Sequence, residues 1–333
     1  MDLAFNLSEQ GLGNVKTNPC VGAVLVFNEK IIGMGYHTGY GKPHAEIEAL
    51  NSVKESDVHL ISKSTLYCTL EPCFHYGKTP PCVQRILEEN IKHVIVGYID
   101  PNPEVSGKSI ALMGSEGVKV EILSETMPHF FDVAFRKTLL PFFTNQKFQR
   151  PYIILKWAQS KDGFISKRNE RTAISNNFSR YEVHKWRSQC DAIMVGTNTV
   201  VTDNPELNNR LYLGNSPIRI TFASAFEKAP TAKLFTDGLP TWLIEKNKTL
   251  PEMLSDMYNN KIGTLLIEGG TTLLCAFIEN NLFDEVRVIT SPQYLFEGVS
   301  APKLNSNCVL DRTENFTGDR IDYFFNEHCY KTF

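Results

Sequence analysis

The run Thr65-Leu-Tyr-Cys-Thr-Leu-Glu-Pro-Cys-Phe-His-Tyr-Gly-Lys-Thr-Pro-Pro-Cys82 decides how this chain is read. Thr65–Leu70 is β-rich. Pro80 and Pro81 then open a helix through Val83, Ile86 and Leu87, since proline is tolerated in a first turn. Upstream, His44-Ala-Glu46 starts another helix, with apolar residues at Ala45, Ala49, Leu50 and Val53. Residues 21–27 read as a strand and 31–36 as its hairpin partner. His93–Tyr98 and residues 118–122 read as further strands, with a helix around Ile110 between them. This alternation implies an α/β sandwich around a mostly parallel sheet.

One imidazole and two potential thiolates, His44, Cys73 and Cys82, make a Zn2+ ligand set with one position open, as a catalytic site needs. Such a metal lowers the pKa of a water in that position. Glu46 stands close enough to carry protons without being a ligand. These are the parts of hydrolytic deamination of an aminated heterocycle. A closed structural zinc with Cys68 or His75 as fourth ligand, or a chance collection of core residues, stays open at this point.

With 333 residues, the chain exceeds the size at which one core usually stops growing, so two domains are expected. A net charge of −3 does not favour a polyanionic partner, and no apolar run reaches membrane-spanning length. Asp2, Asn6, Ser8 and Glu9 argue against a signal peptide. Eight cysteines spread over so long a chain do not read as a disulfide framework; most read as small buried groups, and a reducing cytoplasm keeps Cys73 and Cys82 available as thiolates.

Residues 125–143 read as a helix closing the first unit, and the polar stretch between Pro141 and Pro151 as the domain boundary. A second α/β series follows. It has strands at 152–158, 191–195, Ile218–Phe222, 264–267 and 285–289, and helices at 179–187, 251–258 and 271–280. No Gly-x-Gly-x-x-Gly fingerprint occurs here. Leu266-Ile-Glu-Gly-Gly-Thr-Thr-Leu-Leu274 is a strand ending in a glycine pair that opens into a helix, where backbone amides can cradle a phosphate. Lys156–Gly163 reads as a strand ending in a turn, 187–196 as a helix end followed by a strand, and 199–207 as a polar loop with Arg210 beyond.

The first motif, with Thr17-Asn-Pro-Cys-Val-Gly-Ala-Val24, His44-Ala-Glu46 and Asp100-Pro-Asn-Pro103 with Gly107, closely resembles the bifunctional riboflavin-biosynthesis deaminase–reductase family. The segments after Pro151 resemble its reductase half. The resemblance covers nearly the whole chain. It implies an N-terminal cytidine-deaminase-like three-layer α/β/α domain over residues 1–145 and a C-terminal dihydrofolate-reductase-like α/β domain over 150–333. It implies a phosphoribosyl pyrimidine substrate touched by Asn18, His37, His75, Lys78 and Thr79 in the first domain. In the second, it implies NADPH contacts from Ala158, Thr199, Asp203, Ser224 and the helix start Gly270, Thr271, Thr272, Leu273, Leu274, Cys275 and Ala276. Arg187, Leu207, Arg210 and Glu268 would touch the reductase substrate. A homo-oligomer with no nucleic-acid or membrane partner is expected. The chain departs from the family pattern at Ser109 (usually glycine), Arg171 (usually small and polar), Ala173 (commonly tryptophan) and Ala223 (usually aspartate). The last three leave a deaminase with a degenerate reductase module as the runner-up. A nucleic-acid-editing deaminase leaves half the chain unexplained. A zinc-stabilised interaction protein has no need of Glu46.

Overall fold

Gly22 has no room for a side chain: a Cβ there would lie 1.9 Å from the Ala4 carbonyl oxygen. Helix α1 (Asp2–Ser8) therefore lies directly against strand β1 (Gly22–Phe27). A computed structural model describes residues 1–74, 80–127, 129–168 and 172–330. The chain divides into two units, Met1–Gln149 and Arg150–Phe333.

In the first unit, β1 turns through Asn28 and Glu29, both at positive φ, into β2 (Lys30–Tyr36). Then come α2 (Ala45–Asn51), β3 (Thr65–Leu70), α3 (Cys82–Glu88), β4 (His93–Tyr98), α4 (Lys108–Ser115) and β5 (Lys119–Ile122). The sheet order is β2-β1-β3-β4-β5. Its two pairs involving β1 are antiparallel, while β3–β4 and β4–β5 are parallel. The sheet is thus mixed rather than mostly parallel, because a tight hairpin reverses the chain whereas a helical crossover restores its direction. Leu25, Leu66, Val94, Val96 and Ile86 are fully buried in its core.

The expected closing helix over 125–143 is three helices: α5 (Leu123–Thr126), α6 (Asp132–Thr138) and α7 (Leu140–Phe148). The residue before a proline is pushed out of the helical region, and Met127, before Pro128, has φ −134° and ψ 60°. Pro141 does not break structure. It sits in the first turn of α7, which runs on to Phe148 and ends at Gln149 in the left-handed region.

The second unit carries an eight-stranded sheet. Its strands are β6 (Tyr152–Gln159), β8 (Ala192–Met194), β9 (Ile218–Phe222), β10 (Thr241–Ile244), β11 (Thr264–Glu268), β12 (Glu285–Thr290), β14 (Cys308–Phe316) and β15 (Asp319–Asn326). A separate pair joins β7 (Phe164–Ser166) to β13 (Val299–Ser300). The order is β10-β9-β8-β11-β6-β12-β15-β14. The first six strands are parallel and the last two antiparallel. The helices are α8 (Asn177–Ser188), α9 (Thr197–Asp203), α10 (Ala223–Lys228), α11 (Lys233–Thr236), α12 (Leu250–Asn259), α13 (Thr271–Glu279) and α14 (Glu327–Tyr330). Leu155, Ile267, Leu274, Phe277 and Phe283 form part of the packed core.

The stretch 199–207, expected as a loop, begins within α9 and becomes loop only after Asn204 ends that helix at φ 44°. Strands β14 and β15 are additional to those expected from the sequence. Their turn holds Thr317 and Gly318, both at positive φ.

Candidate functional site

In the first unit, three segments converge. His44 is the N-cap of α2 and Cys82 the first residue of α3, so two helix starts meet. Cys73 arrives on the segment leaving β3. One donor atom from each of His44, Cys73 and Cys82 lies within 4.8 Å of the others. His44 Nδ1 is 3.4 Å from Cys82 Sγ, and the Cys82 backbone N–H donates to Cys73 Sγ at 3.2 Å. Tetrahedral zinc with bonds of about 2.0 Å to nitrogen and about 2.3 Å to sulfur separates those two donors by about 3.5 Å. The ligand set therefore fits zinc in type and in spacing.

The hydrogen bond between the two thiols draws Cys73 down, against burial and with help from His44, and the same bond together with burial pushes Cys82 up. Hydrogen bonding to Cys73 lifts His44 to about 9. Glu46, in the first turn of α2 and only 3% exposed, is pushed up to about 7, chiefly by burial. A carboxyl poised near neutrality can both take and return a proton.

Cys68, once a candidate fourth ligand, is fully buried in the sheet with its thiol toward the Ile95 carbonyl. It does not join the cluster. His75, Lys78 and Thr79 lie outside the described residues. His37 is buried, and its Nδ1 lies 3.0 Å from the Pro43 carbonyl oxygen, which fixes Nδ1 as the donor. Its Nε2 then accepts from the Asn18 amide at 3.1 Å. The His37 ring stands edge-on to His44, at 5.4 Å between centroids. So His37 packs against His44 and holds Asn18, with its ring nitrogens engaged by Asn18 and the Pro43 carbonyl.

In the second unit, the parallel strands put β6, β8, β9 and β11 end by end along one edge. Open α/β sheets bind ligands at this edge. Ala158 lies near the end of β6, and Ser224 follows β9. The Ser224 and Thr197 hydroxyls are 2.7 Å apart. Gly269 and Gly270 follow β11 at φ +115° and +71°. A Cβ on Gly270 would lie 3.1 Å from Thr199 Oγ1, and one on Gly269 3.3 Å from Thr199 Cγ2. That narrow cradle leads into the N-terminal amides of α13 through Thr271, Thr272 and Leu273, which suits a dinucleotide phosphate. Leu274, Cys275 and Ala276 continue the helix beyond it. Asp203 closes α9.

Beside the cradle, Arg187 grips Glu268 with both arms: Nε to Oε1 at 2.8 Å and Nη2 to Oε2 at 2.8 Å. Lys156 Nζ reaches Oε2 at 3.5 Å. Burial alone would raise the Glu268 carboxyl, but Arg187 and Lys156 hold it at about 2. The Arg187 side chain also donates to the Asn208 carbonyl, and Arg210 to the Asn208 side chain. The Arg210 N–H donates to His184 Nδ1, and burial with Arg187 and Arg210 nearby presses that imidazole down to about 4. Leu207 is buried at φ 52° in the same loop. Sequence reasoning had given no role to Lys156, His184 or Asn208. For Lys156 a signal existed: a lone lysine inside the apolar run Tyr-Ile-Ile-Leu-Lys-Trp-Ala. Of the departures, the Ala173 carbonyl accepts from Gln293, Ala223 is the first residue of α10, and Arg171 lies outside the described residues.

Residues 1–98 match the cytidine and deoxycytidylate deaminase zinc-binding region, and 151–304 match the RibD C-terminal domain. The riboflavin biosynthesis protein RibD of Aquifex aeolicus is 33% identical, with 97% of each chain covered. The chain belongs to the RibD family. RibD of Bacillus amyloliquefaciens is also 33% identical, over 92% of this chain and 87% of its own. Among solved structures, a Thermotoga maritima protein superposes with a TM-score of 0.87 at 28% identity, covering 98% of this chain and 97% of its own. That protein is described as a diaminohydroxyphosphoribosylaminopyrimidine deaminase/5-amino-6-(5-phosphoribosylamino)uracil reductase. Acinetobacter baumannii RibD superposes at 0.81 with 29% identity over 97% of both chains. The family matches make the first unit cytidine-deaminase-like and the second a RibD C-terminal domain.

Proposed function

We propose that this chain catalyses two successive steps of riboflavin biosynthesis. Residues 1–145 deaminate 2,5-diamino-6-(5-phosphoribosylamino)pyrimidin-4-one by hydrolysis. Residues 150–333 then reduce the ribosyl chain of the product to ribityl. The observation that carries this is the junction of His44, Cys73 and Cys82, with Glu46 buried beside them, in a chain aligned end to end with RibD proteins. When bound, zinc supplies Lewis acidity to water, and NADPH supplies a hydride.

Every other part is assigned to the chain itself. His44, Cys73 and Cys82 hold the metal. Glu46 takes a proton from the attacking water and delivers it to the departing ammonia as the carbon–nitrogen bond breaks. Asn18, held by His37, faces the pyrimidine, and His75, Lys78 and Thr79 are assigned to the rest of this substrate. In the second unit, Ala158, Thr199, Asp203, Ser224 and the Gly270–Ala276 segment hold the dinucleotide. Arg187, Leu207, Arg210 and Glu268 hold the substrate, with the guanidinium of Arg210 suited to its phosphate. Lys156 supports Glu268.

A deaminase with a degenerate reductase finds no support: the Arg187–Glu268–Lys156 group is complete, and 151–304 match the family. The test is a two-stage assay. Protein with zinc and the diaminopyrimidine substrate should release one equivalent of ammonia; adding NADPH should then oxidise one equivalent. Ammonia release without NADPH oxidation would refute the second activity.

No helix among the described residues is long and apolar enough to cross a membrane. The proposal includes a reducing cytoplasm, which would keep Cys73 and Cys82 available as thiolates. The proposal includes self-association into a homo-oligomer, with small molecules as ligands. Light scattering on the purified protein checks it, a monomer being the contrary result.

A further inference from the structure

Glu71 belongs to the motif that opens the zinc-site segment, yet no role above uses it. It is 3% exposed, and its carboxylate accepts four hydrogen bonds from another part of the chain. Oε2 accepts from the N–H of Asp100 at 3.2 Å and of Gly107 at 2.9 Å. Oε1 accepts from the N–H of Ser109 at 3.2 Å and from its hydroxyl at 2.7 Å.

Strands β3 and β4 are parallel, with Leu70 opposite Tyr98, and the Glu71 N–H donates to the Tyr98 carbonyl at 2.9 Å. Both strands therefore leave the sheet at the same edge. One leads within three residues to Cys73, the other through Asp100–Gly107 into α4. That second segment is itself folded: the Asn102 N–H donates to Asp100 Oδ1 and the Glu104 N–H to Asn102 Oδ1. Gly107, at φ +74°, is the N-cap of α4, so Glu71 places a negative charge at the positive end of that helix. Ser109, where the family resemblance called for glycine, adds the fourth donor.

We propose that Glu71 is a positioning residue of the zinc site. Its carboxylate clamps the Cys73 segment to the Asp100–Ser109 segment and so fixes the Cys73 sulfur relative to His44 and Cys82. The inference rests on the zinc reading above. The chemistry requires a carboxylate specifically. Three of the four donors are backbone N–H groups, which cannot reverse. A glutamine offers one acceptor oxygen and one NH2, and in either orientation its NH2 faces at least one of those N–H groups. The shape-conserving substitution is therefore not a neutral one.

The test compares full-length parent, Glu71→Gln and Glu71→Asp in zinc competition against a chromophoric chelator, with reduction of pre-deaminated substrate as a control for intact protein. Glu71→Gln should bind zinc about 10- to 100-fold more weakly, the usual effect of losing a group that orients a ligand. Reduction should proceed at the parental rate. Glu71→Asp keeps the charge but withdraws it by one methylene, and should lie in between; it decides the matter if Glu71→Gln does not fold. A folded variant with lowered thermal stability but parental zinc affinity would overturn the proposal, leaving Glu71 a purely structural anchor. A parent that binds no zinc would instead refute the zinc reading.

Discussion

Arg187 and Glu268 stand 81 residues apart in sequence and form two parallel hydrogen bonds of 2.8 Å in the second unit. Glu268 also receives Lys156, so one buried carboxylate answers two cations. Replacing it by glutamine strands both. Glu268→Gln should destabilise the second unit by about 3–5 kcal/mol, the cost of breaking a buried pair from one side. Chemical denaturation measures the loss. Ammonia release by the first unit should persist under conditions where the variant remains folded.

The same carboxylate sets an acid limit. Its folded value of about 2 lies below the ordinary 4.5. A depressed acid contributes stability that is fully present above the ordinary value and lost as pH falls through the folded one. Between these limits Glu268 contributes a slope of about 1.4 kcal/mol per pH unit. Asp162, Glu206 and Asp237 are depressed as well, so in urea unfolding between about pH 2 and pH 4.5 the parent's slope should exceed that of Glu268→Gln by about this amount. An unchanged slope would mean Glu268 is not the group responsible.

Gly270 admits no side chain without cost. Its φ of +71° is strained for other residues, and a Cβ would crowd Thr199. Gly270→Ala should lose about 1–3 kcal/mol of stability. If the cradle holds the dinucleotide, KM for NADPH should rise about tenfold, equivalent to about 1.4 kcal/mol. Steady-state kinetics on pre-deaminated substrate give the answer, and an unchanged KM would move the dinucleotide elsewhere.

Zinc removal separates the two units. Excess chelator should abolish ammonia release while leaving NADPH oxidation on pre-deaminated substrate at its original rate. Cys82→Ser should mimic chelation, because it replaces a thiolate with a much weaker zinc ligand. Loss of both activities on chelation would show that the reductase also depends on the metal.

The zinc cluster was legible because its chemistry is written in residue types: a histidine, two cysteines and a glutamate beside prolines and helix starts. The Gly269–Gly270 turn was legible for the same reason, since a strand, a glycine pair and an apolar helix follow one another directly. What the sequence concealed depends on distant backbone. Glu71 finds its partners in amides of residues 100, 107 and 109, and an amide carries no signature of its own. Lys156 showed itself only as an anomaly in an apolar strand; its partner lies on the neighbouring β11. Helix α9 escaped because Thr197-Asn-Thr-Val-Val-Thr-Asp is rich in β-branched and polar residues, so packing overrides a weak local preference. The closing helix breaks where Met127 meets a proline, a local rule that a long apolar pattern hides.

The central claim is that one chain carries two chemistries on separate sets of residues, and Glu46→Gln tests it most directly. The variant keeps His44, Cys73 and Cys82 and removes only the proton carrier. Measured on one preparation, it should retain one zinc per chain, release no ammonia from the diaminopyrimidine, and reduce the pre-deaminated compound with NADPH at the parental rate. Parental ammonia release by Glu46→Gln, or loss of both activities together, would contradict the account.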